Sequence, residues 1–128
     1  MDVDKLRFSK EHEWVAREGS DDIVTVGITE YAAGELGDIV FIEFPEAGSE
    51  VKAMEPMGTI EAVKTVADLF APVSGTVEEI NSKLEDEPEL ANHSPYDEGW
   101  FMKIKLSAPD EVNGLMNHEE YQKMVGKE

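Results

Sequence analysis

Cysteine is missing from this chain of 128 residues. Its absence excludes disulfides, thiolate metal sites, a cysteine nucleophile and protein-borne thiol redox chemistry. Any sulfur chemistry must therefore arrive with a cofactor. Basic residues are scarce as well: 11 Lys and Arg stand against 29 Asp and Glu, for a formal charge of −18. A surface this negative repels phosphate backbones and anionic lipid, which argues against nucleic-acid and membrane partners and favours basic ones. The acidic residues are spread along the chain rather than gathered in a tail, as in a well-solvated surface. No apolar run reaches the length needed to span a bilayer. The opening Met1-Asp2-Val3-Asp4 has neither signal-peptide nor Arg-rich transit character. A cytoplasmic location is expected, and a mature mitochondrial form with its leader removed reads the same way.

The common enzyme motifs are also missing. The sequence contains no G-x-S-x-G, H-E-x-x-H, Walker A, G-x-G-x-x-G or EF-hand pattern. His12, His93 and His118 lie far apart and read as surface or structural residues rather than a metal cluster. No catalytic residue and no metal site is assigned, and nothing in the motifs argues for an active site of the chain's own.

What is present is a β-rich pattern. The hydrophobic fraction of 41% and the length suit one domain with one sizeable core. Asp22–Ile28 and Asp38–Phe44 are rich in β-branched and aromatic residues, and Trp100, Met102, Ile104 and Leu106 alternate with Phe101, Lys103 and Lys105. Shorter strands are expected at Glu50–Ala53, Thr59–Val63, Asp68–Ala71 and Thr76–Ile80. Turns are expected at Pro45–Gly48, Pro56–Gly58, Pro72–Gly75 and Pro88–Gly99. Thr29 is placed to cap a short helix ended by Gly34 or Gly37. Asn117 and Glu120 have capping-box spacing before a helix stopped by Gly126, and Ser107–Asp110 is placed to open a further helical turn. The expected fold class is an all-β core with peripheral short helices. Gly37 and Gly75 each precede a strand, a weak internal echo that would suit two similar halves.

Lys64 falls in the short polar break between two extended segments, which puts it at a hairpin tip. Two readings stand from spacing alone: an ordinary solvated lysine among nine, or an unshielded amine offered to a modifying enzyme.

A resemblance decides between them. Val26-Gly27-Ile28-Thr29-Glu30-Tyr31-Ala32 and Leu36-Gly37-Asp38-Ile39-Val40-Phe41 are similar to segments of the glycine cleavage system H-protein family. So are His12-Glu13-Trp14, Glu61-Ala62-Val63-Lys64, Ala71-Pro72-Val73-Ser74-Gly75, Ser94-Pro95-Tyr96 and Gly99-Trp100. The match runs in order from about Leu6 into the C-terminal helix, with small departures at Thr65 and Phe101. It implies a barrel-sandwich hybrid: two antiparallel sheets with a lipoyl-lysine hairpin and a C-terminal helix. It places the whole of residues 1–128 in one lipoyl-carrier domain, with a core at about 22–106 and a helical segment at about 107–126.

The resemblance implies that lipoic acid is held in amide linkage on Lys64, which explains how a dithiol carrier can lack cysteine. In the family's cycle a pyridoxal-phosphate glycine decarboxylase, the P-protein, passes an aminomethyl group to the lipoyl arm. The aminomethyltransferase, or T-protein, moves the one-carbon unit onward, and dihydrolipoyl dehydrogenase, the L-protein, reoxidises the dithiol. A lipoate ligase or octanoyltransferase is the implied modifying partner, and the chain itself is implied to be a shuttle that catalyses none of the steps; a soluble monomer is the simplest expectation. Tethering raises the effective concentration of the arm at each docked active site. The loaded arm carries an amine that water would release, so a protecting cleft with a carboxylate makes physical sense. Glu13 and Asp68 are the candidates by their place in the matching segments, with plain surface charge as the other reading of each. Glu61, three residues before Lys64, is assigned to recognition by the lipoylating enzyme or to hairpin support. Gly75 is read as permitting a tight turn or a close backbone approach, and Trp14 and Trp100 as packing residues. Other readings are a lipoyl relay to other complexes, a biotin carrier and an unmodified acidic adaptor. Val63 and Thr65 beside the lysine, in place of methionines, argue against biotin.

Overall fold

The computed structural model describes residues 3–17 and 22–126; Met1 and Asp2, which carry part of the leader argument, lie outside them. After a short 3-10 turn at Val3–Lys5 come β1 (Arg7–Phe8), β2 (Glu13–Arg17), β3 (Ile23–Ile28) and helix α1 (Glu30–Leu36). Then follow β4 (Ile39–Glu43), β5 (Glu50–Val51), β6 (Pro56–Ala62), β7 (Val66–Phe70) and β8 (Gly75–Ile80). Two single-turn helices, α2 (Lys83–Asp86) and α3 (Leu90–His93), precede β9 (Met102–Leu106), a 3-10 turn at Pro109–Gly114 and the C-terminal helix α4 (His118–Val125).

The strands form two antiparallel sheets, one in the order β1-β2-β3-β9-β8-β5 and the other β4-β6-β7. A β-rich fold with peripheral helices is therefore what the chain adopts, although no barrel closes and barrel-sandwich hybrid describes it only loosely. Val24, Val26 and Ile28 of β3 bury one face of the larger sheet in the main core with Ile39, Ile42, Ile60 and Leu69 of the smaller sheet. The opposite face is covered too, by a second cluster of Leu6, Phe8, Trp14 and Tyr121 beneath α4. That double cover is why Val24 through Ile28 are all buried instead of alternating. Trp14 pairs with Gly27 in register, and a Cβ on Gly27 would stand 2.6 Å from the indole ring. The indole donates to the Pro95 carbonyl at 2.9 Å, which fixes Trp14 as a core residue.

Helix boundaries follow the expected chemistry. Thr29 accepts from the Ala32 amide at 3.1 Å to open α1, and Gly37 rather than Gly34 closes it, at φ +78°. Asn117 and Glu120 form the reciprocal capping box of α4, which ends at Gly126. Several expectations are corrected. β1 and β2 occupy a stretch for which no strand is expected, and Pro56–Gly58 is strand rather than turn, with a bulge absorbing the proline. The Pro88–Gly99 stretch contains α3, whose four residues are too few to show a helical period. Phe101 is fully buried against Phe44 rather than facing solvent with Lys103 and Lys105, because it precedes β9 and escapes its alternation. Gly37 and Gly75 are not equivalent: Gly37 takes a positive φ, whereas Gly75 lets β8 approach the Lys105 backbone of β9. Among the described residues no helix is long and apolar enough to cross a membrane.

Candidate functional site

The β6–β7 hairpin places Lys64 at its apex. The Ala62 amide donates to the Thr65 carbonyl at 2.8 Å and closes the turn, and the Val63 amide donates to the Asp38 carbonyl at 3.0 Å. The second bond ties the tip to the entry of β4, so the apex is anchored although its side chains are exposed. Among the described residues no carboxylate pairs with the Lys64 ammonium.

The lysine stem rests on Gly37. A Cβ at that position would lie 3.1 Å from Lys64 Cε and 3.7 Å from Nζ, so glycine serves both the left-handed cap and the passage of the stem. The ammonium thereby lies at the C-terminal end of α1, where the partial negative charge of the last carbonyls favours a cation. Asn92 of α3 holds this corner: its side-chain amide donates to the Gly37 carbonyl at 2.8 Å and its oxygen accepts from the Ile39 amide at 2.9 Å.

Glu61 sits in the last paired row below the turn, opposite Phe41 on one side and Val66 on the other. Asp68 is exposed and pairs in register with Thr59. Glu13 has a different environment. It is only 2% exposed, accepts from Ser9 Oγ at 2.5 Å, and its backbone amide donates back to the same oxygen at 3.1 Å. Burial pushes its pKa up to about 8 from the usual 4.5, against the opposing pull of the Ser9 hydrogen bond. Glu13 is thus mainly a neutral acid near pH 7 whose carboxyl also meets the Phe70 backbone of β7, while Asp68 of the same strand faces solvent.

The histidines are dispersed in role. His12, at φ +69°, bonds the Tyr121 hydroxyl at 2.8 Å, and His118 pairs with Asp4 at 2.9 Å. Burial raises the Tyr121 pKa to about 12, so its hydroxyl stays protonated while bonding His12 and, at 2.7 Å, Thr29. A cleft of about 580 Å³ between α1 and α4 is lined by Tyr31, Tyr96 and Tyr121 with Glu30 and Glu35; Lys64 is not part of it. The lysine is therefore a projecting group rather than the floor of a pocket. Gly37 and Asn92 escape a sequence reading because each is distant from Lys64 along the chain; the only local signal, Gly37 as a helix stop, points to its cap role alone.

The chain as a whole has known relatives. A family model described as the glycine cleavage H-protein matches residues 6–128. The chain is 52% identical to a glycine cleavage system H protein of Staphylococcus carnosus over 97% of each chain. It is 51% identical to one from Geobacillus kaustophilus, covering 96% of this chain and 95% of that one. A crystal structure of a glycine cleavage system H protein from Mycobacterium marinum superposes with a TM-score of 0.87 at 36% identity, covering 98% of this chain and 99% of that one.

Proposed function

The chain belongs to the glycine cleavage H-protein family, and from that premise we propose that Lys64 is the residue carrying its lipoyl group in amide linkage. The protein is a non-catalytic lipoyl carrier of the glycine cleavage system. The observation that carries the assignment of Lys64 is its position at the apex of an anchored hairpin, with no carboxylate paired to its ammonium among the described residues. Those are the needs of an acceptor: the amine must enter another protein's active site, and no salt bridge has to be broken first. Attachment forms an amide between Nζ and the acyl carbonyl, with loss of the activating group and of the amine's proton. Once attached, the lipoyl group supplies a reversible disulfide–dithiol couple that the cysteine-free chain lacks.

The chain's own residues then present and steady the arm. The Val63–Asp38 bond stiffens its base, Gly37 leaves room for the stem, and Asn92 fixes the corner beneath it. Glu61, next to the turn, is proposed as a recognition residue for the lipoate ligase or octanoyltransferase. Asp68 is the carboxylate open to the cationic cargo; Glu13 joins it only where Ser9 yields. The P-, T- and L-proteins are the proposed successive partners, in the cytoplasm. Incubation with a lipoate ligase, lipoate and ATP, followed by peptide mass spectrometry, tests the assignment. A lipoyl increment confined to the Lys64 peptide and lost in Lys64→Arg is expected. No increment, under conditions that modify a known lipoyl domain, would overturn it.

A further inference from the structure

The outward face of the β4-β6-β7 sheet carries exposed apolar residues beside the hairpin tip, where solvent should favour polar ones. Val40 is 52% exposed, Phe41 51%, Val63 71% and Val66 62%. Sequence alternation alone would turn Phe41 inward after Val40. A bulge between Ile39 and Phe41 shifts the phase, so that two consecutive residues face solvent and Ile42 returns to the core. Phe41 and Val66 then stand on either side of Glu61 in one cross-strand row, directly below the turn that holds Lys64. Around this ridge the charges are nearly all of one sign. β4 and its entry residue contribute Asp38 and Glu43, and the hairpin contributes Glu61 and Asp68, with Lys64 as its single cation.

We propose that this ridge, centred on Phe41 and Val66, is the surface by which the enzyme that acylates Lys64 docks on the unmodified chain; the inference rests on Lys64 being the acceptor. Reach decides the occupant. Before acylation the amine sits at the end of a four-carbon stem, so the modifying active site has to close over the hairpin tip and the row beneath it. Enzymes that act on the finished arm meet a group displaced from the tip by the arm's length and do not need to bury that row. The complementary enzyme surface is an apolar patch ringed by Lys and Arg. Its centre would gain affinity from desolvating Phe41, and its basic rim would speed encounter with the four carboxylates.

The test is steady-state acylation of the full chain by a bacterial lipoate ligase with octanoate and ATP, read by mass spectrometry at the Lys64 peptide. Phe41→Ser/Val66→Thr should raise KM for the protein at least tenfold while kcat stays within twofold. Ile23→Thr trims exposed apolar surface on the larger sheet, away from the hairpin, where Ile23 is 36% exposed, and should leave both constants unchanged. Glu43→Lys/Asp68→Lys should raise KM and flatten its dependence on salt. A KM for Phe41→Ser/Val66→Thr within twofold of wild type, or an equal loss in Ile23→Thr, would overturn the docking surface. Failure of the wild type to be acylated at Lys64 would instead remove the carrier assignment on which the surface depends.

Discussion

Asn92 and Gly37 are joined by a 2.8 Å hydrogen bond from the asparagine side-chain amide to the glycine carbonyl. The bond links α3 to the corner between α1 and β4 on which the Lys64 stem lies. Replacing Asn92 by Ala removes this donor and the acceptor for the Ile39 amide at 2.9 Å. A loss of about 1–3 kcal/mol in urea unfolding is expected from leaving these backbone groups unsatisfied. Faster hydrogen exchange at the Ile39 amide should accompany it, and unchanged exchange there would count against the clamp.

Gly37→Ala imposes two strains at once. A Cβ at φ +78°, ψ −157°, a conformation nearly confined to glycine, costs about 1–3 kcal/mol, and the methyl group also presses on Lys64 Cε, 3.1 Å away. A lower melting temperature is expected, together with a changed chemical shift for the Lys64 side chain. Gly34→Ala, on open helix surface with nothing within 4 Å of the added carbon, should be neutral or slightly stabilising.

Gly27→Ala has no open space to use. Its Cβ would fall 2.6 Å from the Trp14 ring, which is itself fully buried and bonded to Pro95. Displacing the indole should cost about 1–3 kcal/mol or more by overpacking, with a red-shifted tryptophan emission as the ring meets water. Emission identical to wild type would show that the second core relaxes around the methyl group.

Glu13 makes stability depend on pH. Its folded pKa of about 8 lies above the ordinary 4.5, so below pH 4.5 the acid is protonated in both states and carries no ionisation penalty. As pH rises through that value the unfolded chain ionises first, and stability falls until the folded acid has also lost its proton, near pH 8. The penalty above that point is on the order of a few kcal/mol. Glu13→Gln, which mimics the protonated acid, should remove this slope and gain on the wild type between pH about 5 and about 8. Parallel stability curves for the two proteins over that range would refute the assignment of a neutral buried acid.

Much of the fold is legible locally because its signals are local. Thr29 and Gly37 bracket α1, and Asn117, Glu120 and Gly126 bracket α4, since capping chemistry acts within a few residues. Strands such as Ile23–Ile28 declare themselves through β-branched composition. The strand Glu13–Arg17 is hidden for a physical reason: Glu13, Trp14 and Val15 are all buried because both faces of its sheet are covered, which removes alternation. The bulge that exposes Phe41 is hidden as well, because a change of phase depends on the partner strand.

At the site the division is sharper. The amino-acid sequence alone placed Lys64 at a hairpin tip, and its resemblance to the H-protein family made that lysine the acceptor candidate, because both rest on contiguous stretches. Only the tertiary structure decided that Gly37 and Asn92 support the lysine, that Glu13 is sealed beside Ser9 while Asp68 faces water, and that Phe41 joins Val66 next to the tip. Each of these relations depends on which segments pack together, and burial and register are properties of that packing rather than of any one segment.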